Sequence, residues 1–404
     1  MGVARNNVAV RSSKSPRIRA AKKAPVITPD WEPTIPGRRY LPTTWNEYMA
    51  LARRIVGRFY NQFRLRHFDY VHPTRLQRGV PKRFRRPYPV RVAYTEWGPE
   101  DAPIVLCCGG VANTAMRFNY LASDLCNGFR VLCMDWVGRG RSSWMADERD
   151  YSLETYVEQL RQMIEHLDAK SVTVLGSSLG GSAAIALAAR HPRIVDRLIL
   201  NDVGPYIPRS RRKRRAETLA RHYVFRDPAD LLRRVGASQK NDGPISDDIR
   251  FNISFHQTRW SEEEGGRVYR HDVRALQAYR RDAQGSLQQW HLWERIKCPV
   301  LAIHGMESDA LVDRTIKRMA RVRPITVMHV PQTGHTPVLA DRNQISFIRD
   351  WLLGTGDARG EWTVLHAPPR ESWHTGAPPA PRRAAIKDSS SPESHPVSLH
   401  GIAP

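Results

Sequence analysis

Ser178 is the residue of this chain best placed to do covalent chemistry. It stands in Gly176-Ser177-Ser178-Leu179-Gly180, with Gly181 following. The apolar run 171–177 before it reads as a strand, and the small-residue run 179–191 after it as a helix. A serine on so tight a bend needs neighbours without bulk, which Gly176, Gly180 and Gly181 supply. The bend presents the hydroxyl at the strand's C-terminal edge and at a helix N-terminus, where amide N–H groups lack intrahelical partners. Gly-x-Ser-x-Gly alone arises by chance; the strand–turn–helix setting makes it specific. The bland alternative is a glycine-rich turn that packs helix on sheet.

A serine hydroxyl is a weak nucleophile and requires a base. His335 is the candidate, in the loop Gln332-Thr333-Gly334-His335-Thr336-Pro337 just after the last predicted strand. The base in turn needs an orienting carboxylate. Asp309 follows the strand 299–305 and Asp202 follows the strand 197–203, so both fall at C-terminal strand edges. Asp309 is the expected acid, because Glu307-Ser308-Asp309-Ala310-Leu311 leads directly from loop to helix; Asp202 is the competitor. Ser178…Asp309…His335 is the chain order of an α/β-hydrolase triad. For the developing oxyanion, the Leu179 N–H is one expected donor. The second is expected from the loop Gly109-Gly110-Val111-Ala112-Asn113-Thr114, with Val111 its donor. Gly110 and Trp136 are expected to contact substrate, Trp136 at the mouth of the site.

These residues need a scaffold with many C-terminal strand edges on one rim. Strand-like runs at 90–98, 104–110, 130–136, 171–177, 197–203, 299–305 and 325–331 alternate with helical patterns such as 152–168 and 179–191. Such alternation predicts an α/β fold, a mostly parallel sheet flanked by helices. Residues 206–297 break the rhythm. They are polar and helix-rich without a clear strand, which predicts a helical cap inserted between two core strands. The expected organisation is a basic disordered arm (1–43), an amphipathic helix and basic linker (44–86), the first part of the core (87–205), the cap (206–297), the second part of the core (298–357) and a Pro/Ser-rich disordered tail (358–404). Within 44–65, apolar and aromatic residues recur at three- and four-residue steps behind a Thr44/Glu47 capping box. Such a helix either packs on its own protein or lies in a membrane interface.

Taken together, CCGGVANT (107–114), DWVGRGRSS (135–143), GSSLGG (176–181), NDVGP (201–205), GMESDALV (305–312) and TGHTPVL (333–339) resemble the α/β-hydrolase superfamily, over about residues 88–355. NDVGP followed by a helical cap resembles its serine esterase-like members. The resemblance implies a triad on Ser178, Asp309 and His335, with no metal and no organic cofactor. It also implies hydrolysis of a carboxylic ester, thioester or lactone through an acyl-enzyme on a small-molecule acyl substrate. The family's usual His-Gly before the oxyanion loop is here Gly109-Gly110. Serine as nucleophile disfavours the dehalogenase and epoxide-hydrolase relatives, which use aspartate.

Charge adds a second theme. The net charge is +23, and residues 1–90 hold 20 Lys/Arg against 4 Asp/Glu. A basic N-terminal arm can meet an anionic membrane surface or another polyanion, although no specific nucleic-acid motif accompanies it. The alternative reading is therefore a polyanion- or membrane-binding protein on a hydrolase scaffold, with catalysis secondary. The cap opens with six basic residues among the seven from Arg209 to Arg215, either a solvated helix or a seat for an anionic substrate. Cys107, Cys108, Cys126, Cys133 and Cys298 are odd in number and show no Cys-x-x-Cys spacing, which suggests neither a disulfide framework nor a zinc site. A cytoplasmic location is expected. The acid-free stretch 1–29 leaves a mitochondrial address as the alternative, and the arm leaves a peripheral membrane one.

Overall fold

The computed structural model describes residues 42–219, 221–354 and 360–367. A nine-stranded sheet forms its centre, built from β1 (Phe63–His72), β2 (Tyr88–Trp97), β3 (Ile104–Cys108), β4 (Arg130–Met134), β5 (Val172–Ser177), β6 (Val195–Asn201), β7 (Val300–Gly305), β8 (Thr326–Val330) and β9 (Gly360–Thr363). The spatial order is β1-β2-β4-β3-β5-β6-β7-β8-β9. β2 pairs antiparallel with β1 and β4, and every other neighbouring pair is parallel.

The parallel strands are apolar at nearly every position because both sheet faces are covered. Side chains alternate between the faces. Val105, Cys107, Val131, Cys133, Leu175, Ile199 and Leu301 enter one core. Their chain neighbours Leu106, Cys108, Leu132, Met134, Val174, Leu198 and Val300 enter the other. A register slip of one residue would exchange the two sets.

Of the helices, α1 (Trp45–Ile55) precedes the sheet, and α2 (Asn119–Leu125), α3 (Leu153–His166) and α4 (Leu179–Arg190) connect its strands. The insertion between β6 and β7 carries α5 (Arg209–Leu219), α6 (Pro228–Ser238), α7 (Asp247–Gln257) and α8 (Val273–Asp282). It also contains short strands absent from the sequence expectation. Val224–Phe225, Thr258–Ser261 and Gly266–Tyr269 form a small sheet. Tyr206–Ile207 pairs antiparallel with Leu287–Gln288, joining the two ends of the insertion. Runs of two to four residues are too short for a period-of-two pattern to stand out.

The boundaries differ from expectation at both ends of the core. β1 falls in the segment expected to be a linker. It is an edge strand with exposed Leu65 and Val71 and a buried His72, so its alternation of polar and apolar residues is blurred. β9, within the expected tail, is fully exposed yet pairs with β8. Of the basic arm, residues 1–41 lie outside the described residues, as do 368–404 of the tail.

α1 carries the expected capping box: Thr44 accepts from the Glu47 N–H, and the Glu47 carboxylate accepts from the Thr44 N–H. It stops ten residues short of the expected end, where Gly57 opens a turn into β1. Its apolar face packs on the insertion, with Tyr48, Ala52 and Ile55 buried against Phe251 and Phe255 of α7. The stripe that suggested a membrane interface is thus occupied by the protein itself. Among the described residues no helix is long and apolar enough to cross a membrane.

Candidate active site

Ser178 sits between β5 and α4 with φ +51° and ψ −112°, a conformation non-glycine residues rarely adopt. Close packing holds the bend. A Cβ on Gly176 would lie 2.5 Å from the backbone of Gly180 and Gly181, and one on Gly180 would lie 2.3 Å from the Cys108 carbonyl. One on Gly181 would meet Val203 at 2.2 Å. All three glycines named from the sequence are therefore required by the approach of helix to sheet.

His335 reaches the serine from the loop after β8. Its Nε2 lies 3.1 Å from Ser178 Oγ, and its Nδ1 lies 2.7 Å from Asp202 Oδ2. A carboxylate can only accept, so Nδ1 carries the proton and Nε2 is left free to accept the serine proton. The Asn201 side chain locks nucleophile strand and histidine loop together by donating to Ser177 Oγ at 2.8 Å and to the Pro337 carbonyl at 2.9 Å.

The carboxylate beside His335 is Asp202, not Asp309. Asp202 is fully buried at the end of β6 and has φ +54°. The Gly305 N–H donates to its Oδ1 at 3.0 Å, and the Ser308 hydroxyl to its Oδ2 at 2.5 Å. The β7 loop therefore contributes Gly305 and Ser308 as braces for the acid rather than the acid itself. Asp309, one residue further, turns outward, half exposed, and ion-pairs with Arg211 and Arg214 of α5. The sequence offered both aspartates; the left-handed backbone at Asp202 and the inward turn at Ser308 were the features it did not display.

The expected oxyanion donors flank Ser178. Leu179 is the first residue of α4, so its N–H has no acceptor within the helix. Val111 and Gly110 line the same cleft as Ser178 and His335. Asn113 Oδ1 accepts the Gly110 N–H at 3.1 Å, and among the described residues the Val111 N–H has no protein acceptor. Two buried side chains hold this loop from behind. Trp136 Nε1 donates to the Gly109 carbonyl at 2.8 Å, and Arg139 Nε donates to the Val111 carbonyl at 2.9 Å. Trp136 is fully buried, so it supports the loop instead of facing the mouth of the site. Asp135 completes the support, accepting from the Ala115 and Arg141 N–H groups at 2.7 and 2.9 Å. Burial raises its pKa, against these hydrogen bonds and the nearby Arg141.

The cleft has a volume of about 730 Å³, counting the part open to solvent, and its far wall is α5 of the insertion. A second chamber of about 890 Å³ on the same measure shares Val111, Ser178 and Arg212 with the cleft and extends towards Tyr156 and α8. Arg117, buried behind the histidine loop, pairs with Asp242 at 3.3 Å and donates to the Thr336 carbonyl at 3.1 Å. Sequence reasoning missed this brace, since nothing local marks Arg117, Asp242 and Thr336 as neighbours. Among the described residues no group of three or more His, Cys, Asp or Glu side chains is arranged to hold a metal ion.

The family model described as "alpha/beta hydrolase fold" matches residues 102–341. A 3-hydroxybutyrate-oligomer hydrolase of Cupriavidus necator is 32% identical over 275 residues, which cover 65% of this chain and 93% of that protein. A serine hydrolase-like protein of Danio rerio is 33% identical over 145 residues, covering 36% of this chain and 43% of that protein. A solved structure, a putative hydrolase from Rickettsia typhi, superposes with a TM-score of 0.65 at 22% identity, over 72% of this chain and all of that one.

Proposed function

The chain belongs to the α/β-hydrolase fold family, and from that membership we propose that it hydrolyses carboxylic esters through an acyl-enzyme on Ser178. The observation that carries the reading is the unbroken hydrogen-bonded series Ser178–His335–Asp202 at the N-terminus of α4.

In this mechanism Ser178 Oγ attacks the ester carbonyl while its proton passes to His335 Nε2. Asp202 fixes the imidazole tautomer and stabilises its cationic form. The carbonyl oxygen gains negative charge and is met by the Leu179 and Val111 N–H groups, each such donor worth about 3 kcal/mol in the transition state. Collapse of the tetrahedral intermediate breaks the bond to the leaving alkoxide, which takes the proton from His335. Water then attacks the acyl-enzyme, giving its proton to His335, and the carboxylic acid departs as the serine is reprotonated.

Ester chemistry is supported by the relative from Cupriavidus necator, named for hydrolysis of 3-hydroxybutyrate oligomers. Thioesters and lactones present the same electrophilic carbonyl and fit the same steps. The test is hydrolysis of a panel of esters, thioesters and lactones by purified protein, with fluorophosphonate labelling and Ser178→Ala as blank. Labelling and turnover that persist in the variant would refute the assignment.

A further inference from the structure

The wall facing Ser178 is unusually cationic. Arg117, Arg211, Arg212 and Arg215 all line the cleft, and the carboxylate among its lining residues is Asp242. Two of these four charges are matched by carboxylates. Arg117 is paired with Asp242, and Arg211 with Asp309. Arg212 donates to the Gly285 carbonyl at 2.6 Å and lies over the Tyr279 ring at 5.9 Å, with no carboxylate in ion-pair contact among the described residues. The Arg215 guanidinium forms no hydrogen bond and no ion pair among the described residues, although the residue is half-buried in the cleft; its carbonyl accepts only from the Thr218 hydroxyl among side chains.

Arg211, Arg212 and Arg215 follow one another at helical spacing, so one face of α5 turns them together towards the serine. A guanidinium held partly away from water without a partner is costly unless an anion meets it. Burial lowers the Arg215 pKa, and the neighbouring Arg211 lowers it further, with Asp242 opposing. The guanidinium fork matches a carboxylate in a way a point charge does not.

Resting on the ester-hydrolase reading, we propose that Arg215, with Arg212 beside it, seats a free carboxylate of the substrate. The substrate class is then an acidic ester: an oligomer of a hydroxy acid, or a monoester of a dicarboxylic acid, whose free carboxylate lies on α5 while its ester carbonyl meets Ser178.

The experiment compares the linear dimer of 3-hydroxybutyrate as free acid with its methyl-capped form, measuring kcat/KM for each. Wild-type protein is expected to prefer the free acid. In Arg215→Gln the ratio of free acid to capped form is expected to fall about 10- to 100-fold, the worth of a charge-assisted hydrogen bond, mainly through KM. Arg214→Gln removes an equal charge from the same helix outside the cleft and is expected to keep the ratio. A ratio unchanged in Arg215→Gln, or lost equally in Arg214→Gln, overturns the seat. A measurement that needs no folded variant is competition in the wild type: butyrate is expected to inhibit and butyramide not. Equal effects of the two also overturn it. If neither form of the dimer, nor any ester of the panel, is cleaved in a Ser178-dependent way, it is the ester-hydrolase reading that fails. Inhibition of labelling by butyrate would then still report on the seat.

Discussion

His335 Nδ1 lies 2.7 Å from Asp202 Oδ2, and the two residues are 133 positions apart in the chain. The contact is closed by the sheet: β6 ends at Asn201, and the loop after β8 folds back over β7 to reach it. Asp202→Asn should therefore lower kcat by about 10³- to 10⁴-fold, because the amide no longer fixes the required tautomer. Asp309→Asn should stay within about threefold of wild type. Steady-state ester hydrolysis by the two variants, with circular dichroism to verify folding, decides between the acids. The reverse ranking would restore Asp309.

Trp136 acts on the site from behind. Trp136→Phe removes the donor to the Gly109 carbonyl and leaves a buried acceptor unpaired, a cost of about 1–3 kcal/mol. The oxyanion loop is then less firmly placed, and kcat should fall about 10- to 100-fold with KM little changed. A KM effect without a kcat effect would show that the indole serves binding instead.

Gly180→Ala should be among the most damaging single substitutions. Its new Cβ would stand 2.3 Å from a main-chain carbonyl that cannot rotate away. Overpacking costs typically reach about 3 kcal/mol and here involve backbone on both sides. Urea titration should show a lowered midpoint, with loss of soluble protein in the extreme. Unchanged stability would mean that α4 can slide on the sheet.

Acid should weaken the protein partly through Glu158. Burial alone would raise this carboxyl, but hydrogen bonds from Arg161 and Gln162, with Arg75 beside them, outweigh it and hold the pKa at about 2. The folded value lies below the unfolded value, so the contribution is complete above pH 4.5 and is lost as pH falls towards 2. Glu158→Gln should be less stable than wild type by about 1–3 kcal/mol at pH 7, with the gap closing below pH 4. A gap independent of pH would assign the loss to packing.

The two side chains that meet at 3.1 Å, Ser178 and His335, were legible in the sequence because their environment is local. Ser178 is announced by glycines within five residues, and His335 by a loop directly after an apolar strand. The acid was ambiguous because Asp202 and Asp309 both follow strands. What separates them is a backbone torsion at one and the direction of a turn at Ser308, neither of which has a one-letter signature. The parallel strands were legible as continuous apolar runs, whereas edge strand β1 was not, with Leu65 and Val71 facing water and His72 facing in. Trp136 was misplaced because its neighbour in space, Gly109, comes from another strand's end.

The antiparallel pair Tyr206–Ile207 and Leu287–Gln288 gives the insertion between β6 and β7 a single narrow stem. Under the proposed mechanism, selectivity and bond cleavage would occupy separate stretches of polypeptide, and a foreign module grafted across that stem would inherit Ser178, His335 and Asp202 from outside it. The graft would also have to reproduce several anchorages beyond the stem: Asn241 receives the Gly334 amide, Asp242 receives Arg117, the Asp272 N–H meets the Gly138 carbonyl, and Arg211 meets Asp309.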